Sequence, residues 1–484
     1  MLSAYSVISS KAYKNGMPTL VSSPIDGEII GEYIPFLESL NLSEDFFRSK
    51  NLWMLTDIKK RKEALRKFVK KLEDNSEDIA RLIHLEIGKP LIEAKTEVDE
   101  SIGLVSFLLK NGEKILRRRV RTPDPFWSTK KNYVDYVPLG IIGVIKPWNY
   151  PLSNSLWSIV PALLAGNIVI YKPSEHSCLV GFKIYELLRD CIAQDGVINI
   201  IIGDEYAGRI ITKNNQINMI SFTGSTETAK KILSDSNGII RRYQFETGGS
   251  DFAIILDDLS SISDVVIDGL VWGVVNNNGQ VCTSIENILI PDKLYPIVVE
   301  KLVQKMSLLQ KNKDFGPIQN PQQLNYVLKI LEKQIMLGGK FLCGGTVEGN
   351  YLSPTVIEFS NKVNITEVIS DEIFCSAVRI FNYSSIDQVV GIINSGPYGL
   401  GCSIWTADPA QEEIGILCQK LDVGIIWVND VNLAFPELPW SGRKKSGIGS
   451  NLGFESLLDY TAPKAISIDI EPITDKKDWW FPYD

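Results

Sequence analysis

The sequence predicts an α/β fold in which parallel sheets are covered by helices on both faces. Two observations carry this. Four apolar runs, Ile141–Ile145, Asn167–Tyr171, Val197–Ile202 and Met219–Phe222, read as strands, and they are continuous rather than alternating, as strands buried on both faces are. Helical stretches separate and follow them, near Ser153–Leu164, Cys178–Ile192, Glu205–Thr212 and Thr226–Leu233. Strands alternating with helices make βαβ units, whose ligands sit beyond the carboxyl ends of the strands.

Ahead of this region, residues 1 to about 40 are irregular and strand-like, with a turn at Pro24-Ile25-Asp26-Gly27. From about Ser43 to Gly112 the pattern is helical. Ala94, Val98, Ile102, Val105 and Leu109 recur at helix spacing, and Gly88-Lys89-Pro90 divides two helices. The basic run Arg117–Arg121 is expected to be a solvated linker, and Lys130–Val137 a strand. Pro147–Tyr171 carries no charge, but Pro151, Asn154, Pro161, Gly166 and Asn167 interrupt it. A buried helix followed by a buried strand is expected there, not a membrane span. After strand Phe252–Leu256 a second α/β region runs to about Trp440, with Asn287–Ile290, a helix at 293–309, and Gly424–Val428. The last stretch, Ala465–Asp484, is β-prone and aromatic, and its Trp479-Trp480-Phe481 reads as a partner surface.

At 484 residues and 44% hydrophobic, the chain can bury a large core. Its net charge of -8 argues against a basic face for nucleic acid. The seven cysteines are scattered with no C-x-x-C pair, which argues against a disulfide framework and a zinc site. They point to a reducing compartment, the cytoplasm, and no targeting segment is expected. There are two histidines. His84 lies beside the apolar stripe Ile79, Leu82 and Ile83 and reads as structural, and His176 as a loop or helix-start residue. A base serving a thiol is therefore expected to be a carboxylate.

One thiol stands out. Cys282 follows an apolar run and a turn at Gly279-Gln280-Val281. By itself it is either a nucleophile or a small buried hydrophobe. The loops after the strands, Gly203–Gly208 and Thr223-Gly224-Ser225-Thr226, let backbone approach an anion at a helix start, though neither is a G-x-G-x-x-G.

Taken together, P-W-N-Y-P (147–151), K-P-S-E (172–175), F-T-G-S-T (222–226), E-T-G-G (246–249), G-Q-V-C-T-S (279–284), E-I-F (372–374) and S-G-R-K-K-S-G-I-G (441–449) occur in one order. The chain resembles the NAD(P)-dependent aldehyde dehydrogenase superfamily over nearly its full length. The resemblance implies a Rossmann-type coenzyme domain (1–121 and 139–248), an α/β catalytic domain (249–450) and a small β oligomerisation element (122–138 and 451–484). It implies a homodimer or homotetramer, and it implies NAD rather than NADP, because the Glu175 carboxylate repels a 2′-phosphate.

The same resemblance implies Cys282 as nucleophile, Asn149 with the Cys282 N–H as oxyanion donors, and Glu246 as the base that activates water. It implies Lys172 and Glu175 at the adenosine ribose, Gly224 and Ser225 at the pyrophosphate, Glu372 and Phe374 at the nicotinamide ribose and ring, and Trp148 beside the cofactor cleft. Asn154, Trp157, Val281 and Thr283 are expected to line the substrate entry. With no arginine beside Cys282, an apolar or aromatic aldehyde is expected rather than a semialdehyde acid. Three positions depart from the family pattern: Thr247 where leucine is usual, Cys375-Ser376 where Gly-Pro is usual, and Asn287 where many members carry arginine. Two other readings stay open. One is a coenzyme A-acylating or acyl-reducing member, which commonly lacks the hydrolytic carboxylate. The other is a non-catalytic NAD-binding or structural subunit.

Overall fold

The computed structural model describes residues 2–40, 42–259, 263–360, 363–471, 473–474, 477 and 480–481. Two large sheets dominate it. The first has eight strands in the order Gly447–Ile448, Arg242–Glu246, Met219–Thr223, Ile141–Ile145, Ile168–Lys172, Ile198–Ile200, Ser6–Ile8 and Lys11–Tyr13. Its five central strands are parallel and nearly all their residues are buried. The second has seven, in the order Lys340–Cys343, Thr355–Glu358, Ala377–Tyr383, Ile285–Pro291, Asp251–Ile255, Gly401–Trp405 and Ile425–Val428. Only Lys340–Cys343 in it runs antiparallel. The α/β expectation holds.

The uncharged stretch after Pro147 forms the helix Ser153–Ala165, ended by Gly166 in the left-handed region at φ 99°, and then the buried strand Ile168–Lys172. Among the described residues no helix is long and apolar enough to cross a membrane. Helix Ser153–Ala165 packs in one core with Val98, Val105 and Leu108 of the long helix Leu91–Leu116. Leu452, Leu457 and Tyr460 join that same core.

Arg117–Arg121 differs from the expected linker. Arg119–Arg121 is a strand pairing with Lys130–Pro138, and Arg118 grips Asp135 through two hydrogen bonds of 2.6 and 2.7 Å. The strand Thr461–Asp469 completes this three-stranded sheet. Among the described residues strand structure reaches Asp469; much of the rest of the expected stretch, residues 482–484 included, lies outside the described residues. Trp480 and Phe481 are exposed, and Trp479 lies outside the described residues.

Between the two large sheets the chain changes direction in a way that matters for chemistry. Asn149, Lys172, Gly224 and Glu246 stand at or just past carboxyl ends of first-sheet strands. Gly249, Cys282 and Glu372 stand just before amino ends of second-sheet strands. A hydrogen bond of 3.0 Å from Asn149 Nδ2 to the Gln280 carbonyl joins the two sets.

Candidate active site

Cys282 is presented by an unusual piece of backbone. Helix Asp264–Val275 gives way to a short 3-10 turn, Asn276–Gly279, in which Asn277, Asn278 and Gly279 have φ of 48°, 55° and 69°. Three successive left-handed residues are costly for most side chains, but Asn and Gly tolerate them. Side chains then lock the turn. Asn277 Nδ2 donates to the Asn149 carbonyl at 3.0 Å, Gln280 Nε2 to the Asn277 and Pro317 carbonyls at 3.0 and 3.2 Å, and Ser376 Oγ to Asn278 Oδ1 at 2.6 Å. The departure at Cys375-Ser376 therefore packs directly on the thiol loop.

Asn149 is held with equal care. Glu97 accepts the N–H groups of Leu152 and Ser153 at 2.8 and 3.2 Å, capping the helix that follows Pro-Trp-Asn-Tyr-Pro, and pairs with Lys89 at 2.7 Å. Asn154 Nδ2 reaches Asn149 Oδ1 at 3.4 Å, which orients the amide. One Asn149 N–H is committed to Gln280, leaving the second for an incoming oxygen.

Glu246 ends the strand Arg242–Glu246, paired with Thr223 on one side and Gly447 on the other. The S-G-R-K-K-S-G-I-G segment thus supplies the strand at its flank. Thr247 donates from its hydroxyl to the Lys445 carbonyl and from its N–H to Ser446 O at 2.9 Å, so the threonine ties the Glu246 turn to that segment. Glu246 is 3% exposed, and its carboxylate makes no hydrogen bond to another side chain. Burial lifts its pKa well above the carboxylate range, offset in part by the Lys146 ammonium. Burial in turn lowers Lys146 to about 7, with Glu246 opposing. Lys146 donates to Thr223 Oγ1 at 2.9 Å and Ser221 Oγ at 3.3 Å.

Burial likewise raises the Cys282 thiol above its ordinary value, reinforced by the charges of Asp251, Glu246 and Glu372. A thiolate there forms readily only once neighbouring carboxyls are neutral or a cation arrives beside it. Glu372 is pushed up to about 8 by burial and by Glu286, and accepts the Gly249 N–H at 3.1 Å.

Two clefts flank these groups. The first, about 430 Å³, is lined by Cys282, Asn149, Asn154, Trp157, Val281 and Thr283, together with Tyr150, Trp272 and Trp440. The second, about 320 Å³, is lined by Lys172, Glu175, Gly224, Ser225 and Lys146. Lys172 Nζ lies 3.7 Å from Glu175. Ser225 caps helix Thr226–Asp235, accepting the Thr228 N–H at 3.2 Å. Trp148 and Phe374 line neither cleft; their rings meet edge to face with centroids 6.0 Å apart. His84 bonds the Lys89 carbonyl through Nδ1 at 2.7 Å, and His176 sits in a 3-10 turn, so neither histidine faces the thiol cleft.

Sequence reasoning missed several groups. Helix Leu91–Leu116 brings Glu93, Glu97 and Glu100 to the first cleft, and Asp268 and Asp314 also line it. Spacing could have found the first two, since residues four apart share a helix face. Lys146 was signalled by its place directly after an all-apolar strand.

The sequence matches the aldehyde dehydrogenase family over residues 43–466. The chain belongs to the aldehyde dehydrogenase family. Among its relatives, the betaine aldehyde dehydrogenase of Bacillus subtilis (strain 168) is 29% identical over 437 residues, covering 87% of each chain. A chloroplastic aminoaldehyde dehydrogenase of Arabidopsis thaliana is 28% identical, over 84% of this chain and 83% of that one. The fold of this aldehyde dehydrogenase superposes on the crystal structure of betaine aldehyde dehydrogenase from Staphylococcus aureus in complex with NAD+ with a TM-score of 0.91. Sequence identity there is 24%, over 99% of this chain and 97% of that one.

Proposed function

We propose that this aldehyde dehydrogenase uses NAD to oxidise a cationic aldehyde, one bearing an amino or ammonium group, to the carboxylic acid. The observation that carries the reading is that Cys282 and Asn149 line one cleft, with the Glu246 carboxylate near enough to raise the thiol, while Lys172, Glu175, Gly224 and Ser225 line a second. The Cys282 thiol gives its proton to solvent, the thiolate attacks the aldehyde carbon, and the resulting oxyanion accepts hydrogen bonds from the free Asn149 N–H and the Cys282 N–H. Hydride leaves the thiohemiacetal and the carbon becomes a thioester. Glu246 then takes a proton from water as that water attacks the thioester, releasing carboxylate and the thiol. NAD, when bound, supplies the hydride acceptor and a ring charge that favours the thiolate. Lys172 and Glu175 suit its adenosine ribose, Gly224 and Ser225 its pyrophosphate, and Glu372, Phe374 and Trp148 its nicotinamide end. Glu175 speaks for NAD over NADP, and an intact Glu246 speaks for hydrolysis over transfer to coenzyme A. The division into coenzyme domain, catalytic domain and β element belongs to the same reading. So do cytoplasmic residence and a homo-oligomer formed through the sheet of Lys130–Pro138 and Thr461–Asp469.

The substrate charge is a revision of the apolar or aromatic aldehyde expected from the residues beside Cys282. Glu93 and Glu100 line the cleft, as does Lys313; Glu93 accepts the Asn277 N–H at 2.8 Å, Glu97 is spent on Lys89, and Asp268 pairs with Lys305 at 2.6 Å. Glu100 has no ion pair or hydrogen bond among the described residues. Trp157 and Trp440 line the same cleft, and aromatic rings attract cations. The betaine aldehyde and aminoaldehyde relatives support the same chemistry. A panel of aldehydes matched in length tests it. Cationic members are expected to exceed neutral isosteres in kcat/KM by about tenfold or more, a 1.4 kcal/mol preference. Glu100→Gln is expected to raise KM for the cationic members alone. Equal kcat/KM across charges, or a preference for anionic aldehydes, removes the cationic assignment.

A further inference from the structure

Just beyond the thiol loop, the strand Ile285–Pro291 carries two buried polar residues, Glu286 and Asn287, 2% and 0% exposed. Glu286 Oε1 accepts the backbone N–H groups of Ile373 and Phe374 at 2.6 and 2.8 Å. Its Oε2 lies 3.4 Å from Nη1 of Arg379, which is itself fully buried. Arg379 sits opposite Asn287 in the parallel register of the neighbouring strand. It donates to Asn287 Oδ1 at 3.2 Å, to Gln334 Oε1 at 3.0 Å, and to the Asp371 carbonyl at 2.7 Å. The segment Asp371–Phe374 is thereby held at the carbonyl of its first residue and at the N–H groups of its last two.

That segment has reason to be held. Phe374 has φ 57°, a region that side chains larger than Asn rarely occupy. Such backbone persists only where its surroundings over-determine it. A buried ion pair is weak evidence for stability as such, because desolvation offsets the attraction. What the pair does supply is directional bonds to a strained segment, and the Glu372 side chain hangs between them with Gly249 on its carboxylate.

We propose that the Glu286–Arg379 pair is a positioning device that fixes the Glu372–Phe374 segment for the cofactor. This rests on the reading of that segment as the nicotinamide-end binding site. Many members of the resembling family carry arginine where Asn287 stands. Here the guanidinium comes from the adjacent strand at the same register, and Asn287 accepts from it. Glu286 and Arg379 touch neither thiol nor substrate cleft, so their effect must pass through the segment.

The test compares wild type with Glu286→Asp and Glu286→Gln. Aspartate keeps the charge beside Arg379 but withdraws the oxygen from the two N–H groups. Glutamine keeps an oxygen in place and removes the charge. NAD affinity is read by quenching of tryptophan fluorescence, alongside KM values, kcat and melting temperature. Glu286→Asp is expected to weaken NAD binding about tenfold through the two lost hydrogen bonds. Its aldehyde KM is expected to hold within about twofold, because the substrate cleft is not displaced. Glu286→Gln is expected to restore most of the affinity. A merely structural role lowers the melting temperature of both variants with NAD affinity unchanged, and that result overturns the proposal. If wild type itself fails to bind NAD, the functional reading falls first. If wild type binds and folded variants bind equally well, the positioning role alone falls.

Discussion

Replacing Glu246 with glutamine is expected to give a burst of about one reduced cofactor per subunit, followed by near arrest. The carboxyl is buried, makes no hydrogen bond to another side chain and has its pKa raised by burial. A buried carboxylate whose charged form is only partly supported, by Lys146 and the Asn451 N–H, is poised to accept a proton, which is the property a general base near neutral pH needs. In the proposed mechanism the steps up to the thioester do not use it. Hydrolysis does, so the steady-state rate is expected to fall by about 10²–10⁴-fold while the burst survives. The sign of the pH dependence follows from the raised pKa. The base form of Glu246 accumulates as pH rises above the ordinary carboxylate range, so wild-type turnover is expected to climb with pH on that limb. The glutamine variant is expected to lose the limb. Pre-steady-state absorbance of the reduced cofactor, taken across pH, reads both. A variant that turns over normally, or one with no burst, contradicts the assignment of Glu246 to the hydrolytic step.

Gly279→Ala is expected to be among the most damaging single changes in the chain. Gly279 has φ 69°, and a Cβ there would lie 2.1 Å from the Cys375 carbonyl carbon, 2.2 Å from its oxygen and 2.4 Å from the Ser376 nitrogen. These are backbone atoms and cannot swing away. The strand Ala377–Tyr383 that follows them is fixed in the middle of the second sheet. The thiol loop must move instead, and Cys282 lies three residues on. Overpacking plus left-handed strain is expected to cost about 3–5 kcal/mol of stability. Activity is expected to vanish before unfolding. Gly238 is the control: its φ is 78°, but no atom lies within 4 Å of the built Cβ. Gly238→Ala is expected to cost about 1 kcal/mol, the conformational term alone. Equilibrium unfolding of the two variants checks this, and similar losses at both positions contradict the packing argument.

The two expectations show what the sequence carries and what it leaves out. The parallel strands around Ile141–Ile145 were legible because burial on both faces leaves an uninterrupted apolar run. Helix Ser153–Ala165 was legible because prolines and glycine broke an otherwise membrane-like stretch. Cys282, Asn149 and Glu246 are proposed as a set because their local motifs stand in one order along the chain. Other groups become neighbours only through tertiary contact. Glu100 reaches the cleft because a 26-residue helix crosses it. Arg379 meets Asn287 because two strands 92 positions apart lie side by side in one register. The basic run at Arg117–Arg121 misled because alternating charge along an edge strand looks, in one dimension, like a linker.

The most direct measurement of the central claim is peptide mass mapping of the Glu246→Gln protein quenched after mixing with aldehyde and NAD. The account predicts an acyl adduct on the peptide containing Cys282, in amount equal to the burst and lost in the Glu246→Gln, Cys282→Ala double variant. Reduced cofactor formed with no adduct at Cys282, an adduct on any of the other six cysteines instead, or wild-type turnover in Cys282→Ala would contradict it.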